Sequence, residues 1–190
     1  MVEFVWKNNY KEKYYYGKDS TIVFQYKGIN NKYELYRQTD SLFNHKGDLV
    51  KEIIYELNNN VWNIIKTLDR KYDDKGNAIE ETYSNFKYNF FTRNKYKYNS
   101  RNQRIKKKST NYEDKDVSNE IDVRNEQYNY QNDLLSEYVI NNFIKYNFYY
   151  DDNNFINRII IYSYDADKKS FVEATRISQT YHKLKPNKAI

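Results

Sequence analysis

Apolar and polar positions alternate along most of this chain. The run "DLVKEIIYEL" (48–57) alternates, "NNN" interrupts it, and "VWNIIKTLDRKY" (61–72) resumes. A period of two residues marks a half-buried strand, and an Asn cluster between two such runs marks a tight hairpin turn. "AIEETYSNF" with "KYNFFTRNKYKY" repeats the arrangement, as does "LLSEYVINN" with "FIKYNFYY". A last hairpin is expected in "NRIIIYSYDADKKSFVEATRISQTYHK", turning at Asp165, Ala166 and Asp167. The interval from Lys108 to Glu120 reads as the longest loop. The sole proline, Pro186, falls near the C-terminus, after the strands, and no helical period appears.

Five decapeptides align between these runs: "FNHKGDLVKE" (43–52), "YDDKGNAIEE" (72–81), "YNSRNQRIKK" (98–107), "YNYQNDLLSE" (128–137) and "YDDNNFINRI" (150–159). The first position is always aromatic: Phe43, Tyr72, Tyr98, Tyr128, Tyr150. The second is always Asn or Asp: Asn44, Asp73, Asn99, Asn129, Asp151. The fifth is always Gly or Asn: Gly47, Gly76, Asn102, Asn132, Asn154. A fainter sixth copy, "YKGINNKYEL", begins near Tyr26. An Asx side chain at the first corner of a type I turn accepts bonds from the backbone ahead. Three residues later the chain needs a positive φ to rejoin the hairpin, which Gly adopts freely and Asn tolerates best among the rest. Chance agreement in an Asn-rich chain would not also produce the aromatic column. The period of about 22–30 residues is that of a repeat architecture. The expected fold is all-β: an antiparallel meander of roughly 10–12 strands in one domain, 1–190, forming a curled single-layer sheet or a loose barrel.

The aligned blocks resemble the tyrosine-aspartate (YD) repeats of the rearrangement-hotspot proteins and the related hairpin repeats of Bacteroidota surface proteins. "YDDKGNAIEE" carries the resemblance most closely, and the likeness spans about residues 43–181. It implies that the motif residues are structural and that the repeats build shells, stalks or binding surfaces. Members of that family are usually long arrays with a cleavable toxin region. This chain has about five copies and no such region.

Composition changes the picture in one respect. A mean hydropathy of -1.10 with 31% charged residues would suggest disorder, but 23 Tyr, 10 Phe and 2 Trp oppose it. Tyr buries a ring while its hydroxyl stays wet, so a Tyr-built fold should be thin. An AT-rich genome explains the excess of Lys, Asn, Tyr and Ile, but not their placement. Trp6 and Trp62 are expected in the core. Without cysteine there is no disulfide framework. No segment reaches the roughly 18 apolar residues of a membrane helix, so membrane insertion is not expected. The start, "MVEFVWKNNYKEK", lacks the basic region and apolar core of a secretory signal. A cytoplasmic location follows if the chain is complete as given, and a secreted or cell-surface one if it is cut from a precursor.

Candidate chemistry is sparse. The two histidines, His45 in a turn and His182 in the tail, have no motif spacing for a metal site or a nucleophilic triad. The pairs Asp73–Asp74 and Asp151–Asp152 occupy turn columns, where capping accounts for them. "DADKK" is too short for a calcium loop. No catalytic residue, metal or cofactor is expected.

The most informative cluster is "RNKYKYNSRNQRIKKK" (93–108), which holds Arg93, Lys95, Lys97, Arg101, Arg104, Lys106, Lys107 and Lys108 without one acid, with Tyr96 and Tyr98 interleaved. Alternation places Lys95 with Lys97 on one face, and Arg104, Lys106 and Lys108 on one face of the next strand. Cations flanked by rings suit a phosphate backbone with base stacking. The bland reading is a solvated strand pair whose lysines discourage edge aggregation. Tyr14, Tyr15 and Tyr16 form a second aromatic candidate. The net charge of +6 favours an acidic partner without naming it. Two expectations stand: a non-enzymatic surface module, part of a secreted or cell-surface protein, with a protein or glycan partner; or a small intracellular binder docking on RNA, DNA or a ribonucleoprotein through 93–108.

Overall fold

The computed structural model describes residues 2–6, 10–29, 32–113 and 120–178, the strand at 2–6 in its backbone only. His182 and Pro186 lie outside the described residues, as does the end of the last expected hairpin. The described residues contain fourteen strands and no helix. They form two compact units: one from Met1–Asn102 with Lys108–Val123, the other from Gln103–Lys107 with Arg124–Ile190.

The first unit contains β1 (Val2–Trp6), β2 (Tyr10–Tyr16), β3 (Ser20–Ile29), β4 (Lys32–Phe43), β5 (Leu49–Asn58), β6 (Val61–Tyr72), β7 (Ala78–Asn85) and β8 (Phe90–Tyr98). Strands β9 (Arg104–Tyr112) and β10 (Glu120–Gln131) are divided between the units. The second unit continues with β11 (Leu134–Ile140), β12 (Ile144–Tyr150), β13 (Ile156–Asp165) and β14 (Ser170–Ser178). Strand order is chain order, and each neighbouring pair from β1 to β8 and from β10 to β14 is antiparallel.

The all-β meander is as expected, with three corrections. There are more strands than 10–12, because residues 2–43 supply four that the repeat did not count and the supposed loop after Lys108 is strand as far as Tyr112. Neither unit's meander closes into a barrel, and the strong curl is absent. Curling gains little here because neither face is strongly apolar: β5, β11 and β12 are half-buried along nearly their whole length. Lastly, Trp62 is not core, being 37% exposed near the tip of the β5–β6 hairpin.

The turns show how the motif works. Asn44 Oδ1 accepts the amides of Lys46 and Asp48, both at 2.9 Å. Asp73 Oδ1 accepts those of Lys75 and Asn77 at 3.0 and 2.8 Å, and Asp151 Oδ1 those of Asn153 and Phe155 at 2.9 and 3.0 Å. Asn99 Oδ1 accepts the amide of Arg101 at 3.0 Å. The residue in the left-handed region follows in each: Gly47 (φ 86°), Gly76 (φ 85°), Asn102 (φ 61°) and Asn154 (φ 64°). The copy at 128 differs. Asn129 stays within β10, and Asn132 (φ 50°) with Asp133 (φ 65°) makes a two-residue turn of the primed kind that suits a tight hairpin. In the copy at 26, residues 26–29 lie inside β3, and Asn30, which would hold its left-handed position, lies outside the described residues.

Three tyrosines of the aromatic column, and Tyr130 in place of Tyr128, have a second job. Tyr72 donates its hydroxyl to the carbonyl of Leu49 at 2.8 Å, Tyr98 to Ala78 at 2.9 Å, Tyr130 to Arg104 at 3.0 Å and Tyr150 to Leu135 at 2.9 Å. Each acceptor lies at or beside the start of a strand in the preceding hairpin, so each ring staples one turn to the one before. Turns also touch directly: Lys46 Nζ donates to the Asp74 carbonyl at 2.8 Å, and Asn77 Nδ2 to Asn102 Oδ1 at 3.2 Å.

A Cβ added at Gly76 would meet nothing within 4 Å, so its φ alone decides the effect of substitution. Gly76→Ala is expected to lower stability by about 1 kcal/mol, read as a lower urea midpoint at unchanged slope. No change would mean that the turn relaxes out of the left-handed conformation.

Candidate binding surfaces

Strand β8 sets the first half of the basic segment. Its pairing with β7 places Lys95 opposite Glu80 and Arg93 opposite Thr82. Lys95 Nζ lies 3.9 Å from Glu80, which Lys71 already meets at 2.8 Å. The hydrogen bond from Lys71 and the charges of Lys71, Arg93 and Lys95 outweigh the burial of Glu80 and hold its carboxyl below the ordinary range. The Arg93 guanidinium lies over the Tyr112 ring, 5.8 Å from its centroid, with Nε buried. Arg93 is thus half-buried and committed to structure. Lys97 is exposed, while Tyr96 and Tyr98 are half-buried, the hydroxyl of Tyr98 serving as a staple.

In β9, Arg104, Lys106 and Lys108 are exposed and Lys107 is half-buried. Lys107 Nζ lies 3.7 Å from Glu126. Arg101 is exposed in the turn that follows β8. Six of the eight cations therefore divide by role. Arg93, Lys95 and Lys107 meet rings or acids, whereas Lys97, Lys106 and Lys108 have no acidic partner among the described residues.

Glu126 is the most buried acid among the described residues, 5% exposed. Arg124 Nε lies 2.9 Å from it, and Tyr128 donates its hydroxyl to Oε2. Tyr128 stacks on Tyr138 at 5.0 Å, and Tyr138 on Tyr146 at 5.6 Å, following the cross-strand register. Arg124 Nη2 donates to the Tyr138 hydroxyl oxygen at 3.1 Å. Burial raises the Glu126 pKa, but the hydrogen bonds from Tyr128 and Tyr138 and the charges of Lys107 and Arg124 prevail and leave it below the ordinary value. Burial and the same carboxylate push the Tyr128 phenol up. The sequence reading passed over this cluster, although its signal was present: Glu-x-Tyr in a strand puts acid and phenol on one face.

The same signal recurs in β2, where Tyr14 donates to Glu12 at 2.5 Å and its phenol is pushed up to about 12 by that bond, by burial and by the Glu12 charge. Tyr14 stacks with Tyr16 at 6.2 Å, while Tyr15, on the opposite face, meets Phe24 edge-on at 5.7 Å. Tyr16 is 63% exposed and Tyr14 half-buried, so the trio is part packing and part surface. Beside it lies a concavity of about 320 Å³ lined by Tyr10, Lys11, Glu12, Gln25 and Tyr36.

His45 sits in the β4–β5 turn, and no group of three His, Cys, Asp or Glu among the described residues could hold a metal ion. No helix among them is long and apolar enough to cross a membrane. No family model matches the chain, and no curated protein matches it.

Proposed function

We propose that this chain is a non-enzymatic β-hairpin repeat module, of the tyrosine-aspartate repeat kind, that works by presenting a Tyr-rich, basic surface to a partner. The observation that supports this is the half-exposure of the strands on both faces, with only Ile65, Phe91, Tyr112 and Ile160 as buried hydrophobic residues among those described. Catalysis gathers polar groups in a desolvated cleft. Here charged and phenolic groups are spread along strands and exchange bonds with one another. Presentation at a cell surface suits such a module.

A second reading, docking on RNA or DNA, draws on Lys97, Lys106 and Lys108, exposed lysines with no acidic partner among the described residues. One experiment tests both. The immobilised chain is probed with labelled single-stranded RNA, duplex DNA and an acidic polypeptide across a salt series, beside the K97S/K106S/K108S variant. Saturable binding that falls steeply with salt is expected, and the variant should reduce the logarithmic salt slope for nucleic acid by about 2–3. Retention of the polypeptide alone would remove the nucleic-acid reading. Retention of nothing near physiological salt would overturn the basic surface as the working part.

A further inference from the structure

We infer that the concavity on β2, β3 and β4 of the first unit is a binding site for a neutral, polyhydroxylated ligand: one or two sugar rings of a glycan. The site is built from side chains that register brings together. Glu12 and Gln25 are cross-strand partners on β2 and β3, and Gln25 Nε2 donates to Glu12 Oε1 at 2.7 Å. On β4 the pairing slips by one residue, because Gln25 faces Arg37 while Tyr26 faces Leu35. The extra residue is Tyr36, which the bulge carries towards Tyr10, with ring centroids 6.3 Å apart and planes tilted by 59°. Bulges commonly re-aim a side chain in this way. The concavity is open to solvent, and its volume, about 320 Å³, lies at the lower end of the range of small-ligand sites.

The chemistry of the lining selects the ligand class. Two tilted phenol rings offer apolar walls to the C–H faces of a pyranose. Neither the Tyr10 nor the Tyr36 hydroxyl makes a hydrogen bond among the described residues, so both are available to a ligand. Glu12 and Gln25 add acceptors and an amide donor, because each Glu12 oxygen uses only one of its lone pairs on Gln25 or Tyr14. An anion would be repelled by Glu12. A cation is disfavoured by the Arg37 guanidinium, which shares the face of Glu12 and Gln25 and lies 5.4 Å from the Tyr36 ring centroid. A neutral ligand rich in hydroxyls remains, and Tyr walls with amide and carboxylate partners suit it.

The inference does not rest on the basic surface, and its test separates the two. The full chain is titrated calorimetrically with cellobiose, lactose and N,N′-diacetylchitobiose at low and high salt. Saturable binding of at least one disaccharide is expected, little changed by salt and unchanged in K97S/K106S/K108S. Tyr10→Ala, at a 42% exposed position, should weaken it at least about tenfold. Tyr10→Phe, which keeps the wall and loses the hydroxyl, should fall between. Matching circular dichroism melts for wild type and both variants show that the fold is kept. Heat from none of the three sugars, or binding that Tyr10→Ala leaves intact, would overturn the site.

Discussion

Replacing Phe91 with alanine is expected to destabilise the chain by about 3–5 kcal/mol, a large part of the roughly 5–15 kcal/mol available to a natural fold. Phe91 is 4% exposed, and its ring meets Phe86 edge-on at 5.8 Å. The Phe86 amide in turn donates to the Ile65 carbonyl at 2.9 Å, bringing a second buried apolar residue to the same place. The other buried groups of this unit are mostly polar: Ser84, Asn85, Thr92 and Thr110, with Thr92 donating to Asn111 Oδ1 at 2.8 Å. Polar side chains gain nothing by lining an apolar hole, so they do not collapse into it and the space left by a lost ring stays largely open. Urea denaturation should show the midpoint falling at constant slope, with Phe91→Leu losing less than half as much. A loss below about 1 kcal/mol for the alanine variant would mean that this unit has no packed centre.

The second large effect is at Glu126. Glu126→Ala is expected to destabilise the chain by about 1–2 kcal/mol, because the buried carboxylate is the shared acceptor of a hydrogen-bonded cluster, while Arg124, with its side chain 49% exposed, can be rehydrated. Arg124, Lys107 and the Tyr128 hydroxyl would lose their common acceptor. Acid should act through the same group. Its folded pKa lies below the ordinary value, so its contribution is complete above the unfolded pKa and is lost as pH falls through the depressed folded one. Stability of the wild type should therefore drop on acidification, and Glu126→Gln should flatten that part of the profile. Parallel pH profiles for the two proteins would refute this account.

Much of the architecture was readable before any coordinates, for local reasons. The β5–β6 hairpin announced itself by alternation broken at an Asn cluster, and Asn59 and Asn60 both adopt positive φ there. Gly47, Gly76, Asn102 and Asn154 were legible because turn chemistry is written in adjacent residues. The copy at 128 was misread because "YNYQN" offers two aromatic positions two residues apart. Turn length, not composition, chose Tyr130 as the staple, through a register shift between Asn129 and Tyr130. Strands β1 to β4 precede the five clear copies of the motif, and only the faint copy at Tyr26 pointed to any of them. Trp62 was placed in the core on residue type alone, yet a hairpin tip exposes whatever it carries. The basic segment was visible as a run, but its division was not, since Glu80 and Glu126 are distant in sequence from the cations they hold.

The tyrosine staples give the meander a mechanical character. Among the described residues of each unit a strand pairs only with its neighbours in sequence, so tension applied along the chain would peel one hairpin at a time instead of shearing the sheet as a block. At Tyr72, Tyr98, Tyr130 and Tyr150 the peeling front must also break a phenol-to-carbonyl bond reaching back to the previous hairpin. Such a chain would pay out length in steps at modest force and re-zip when released, the behaviour of a shock absorber.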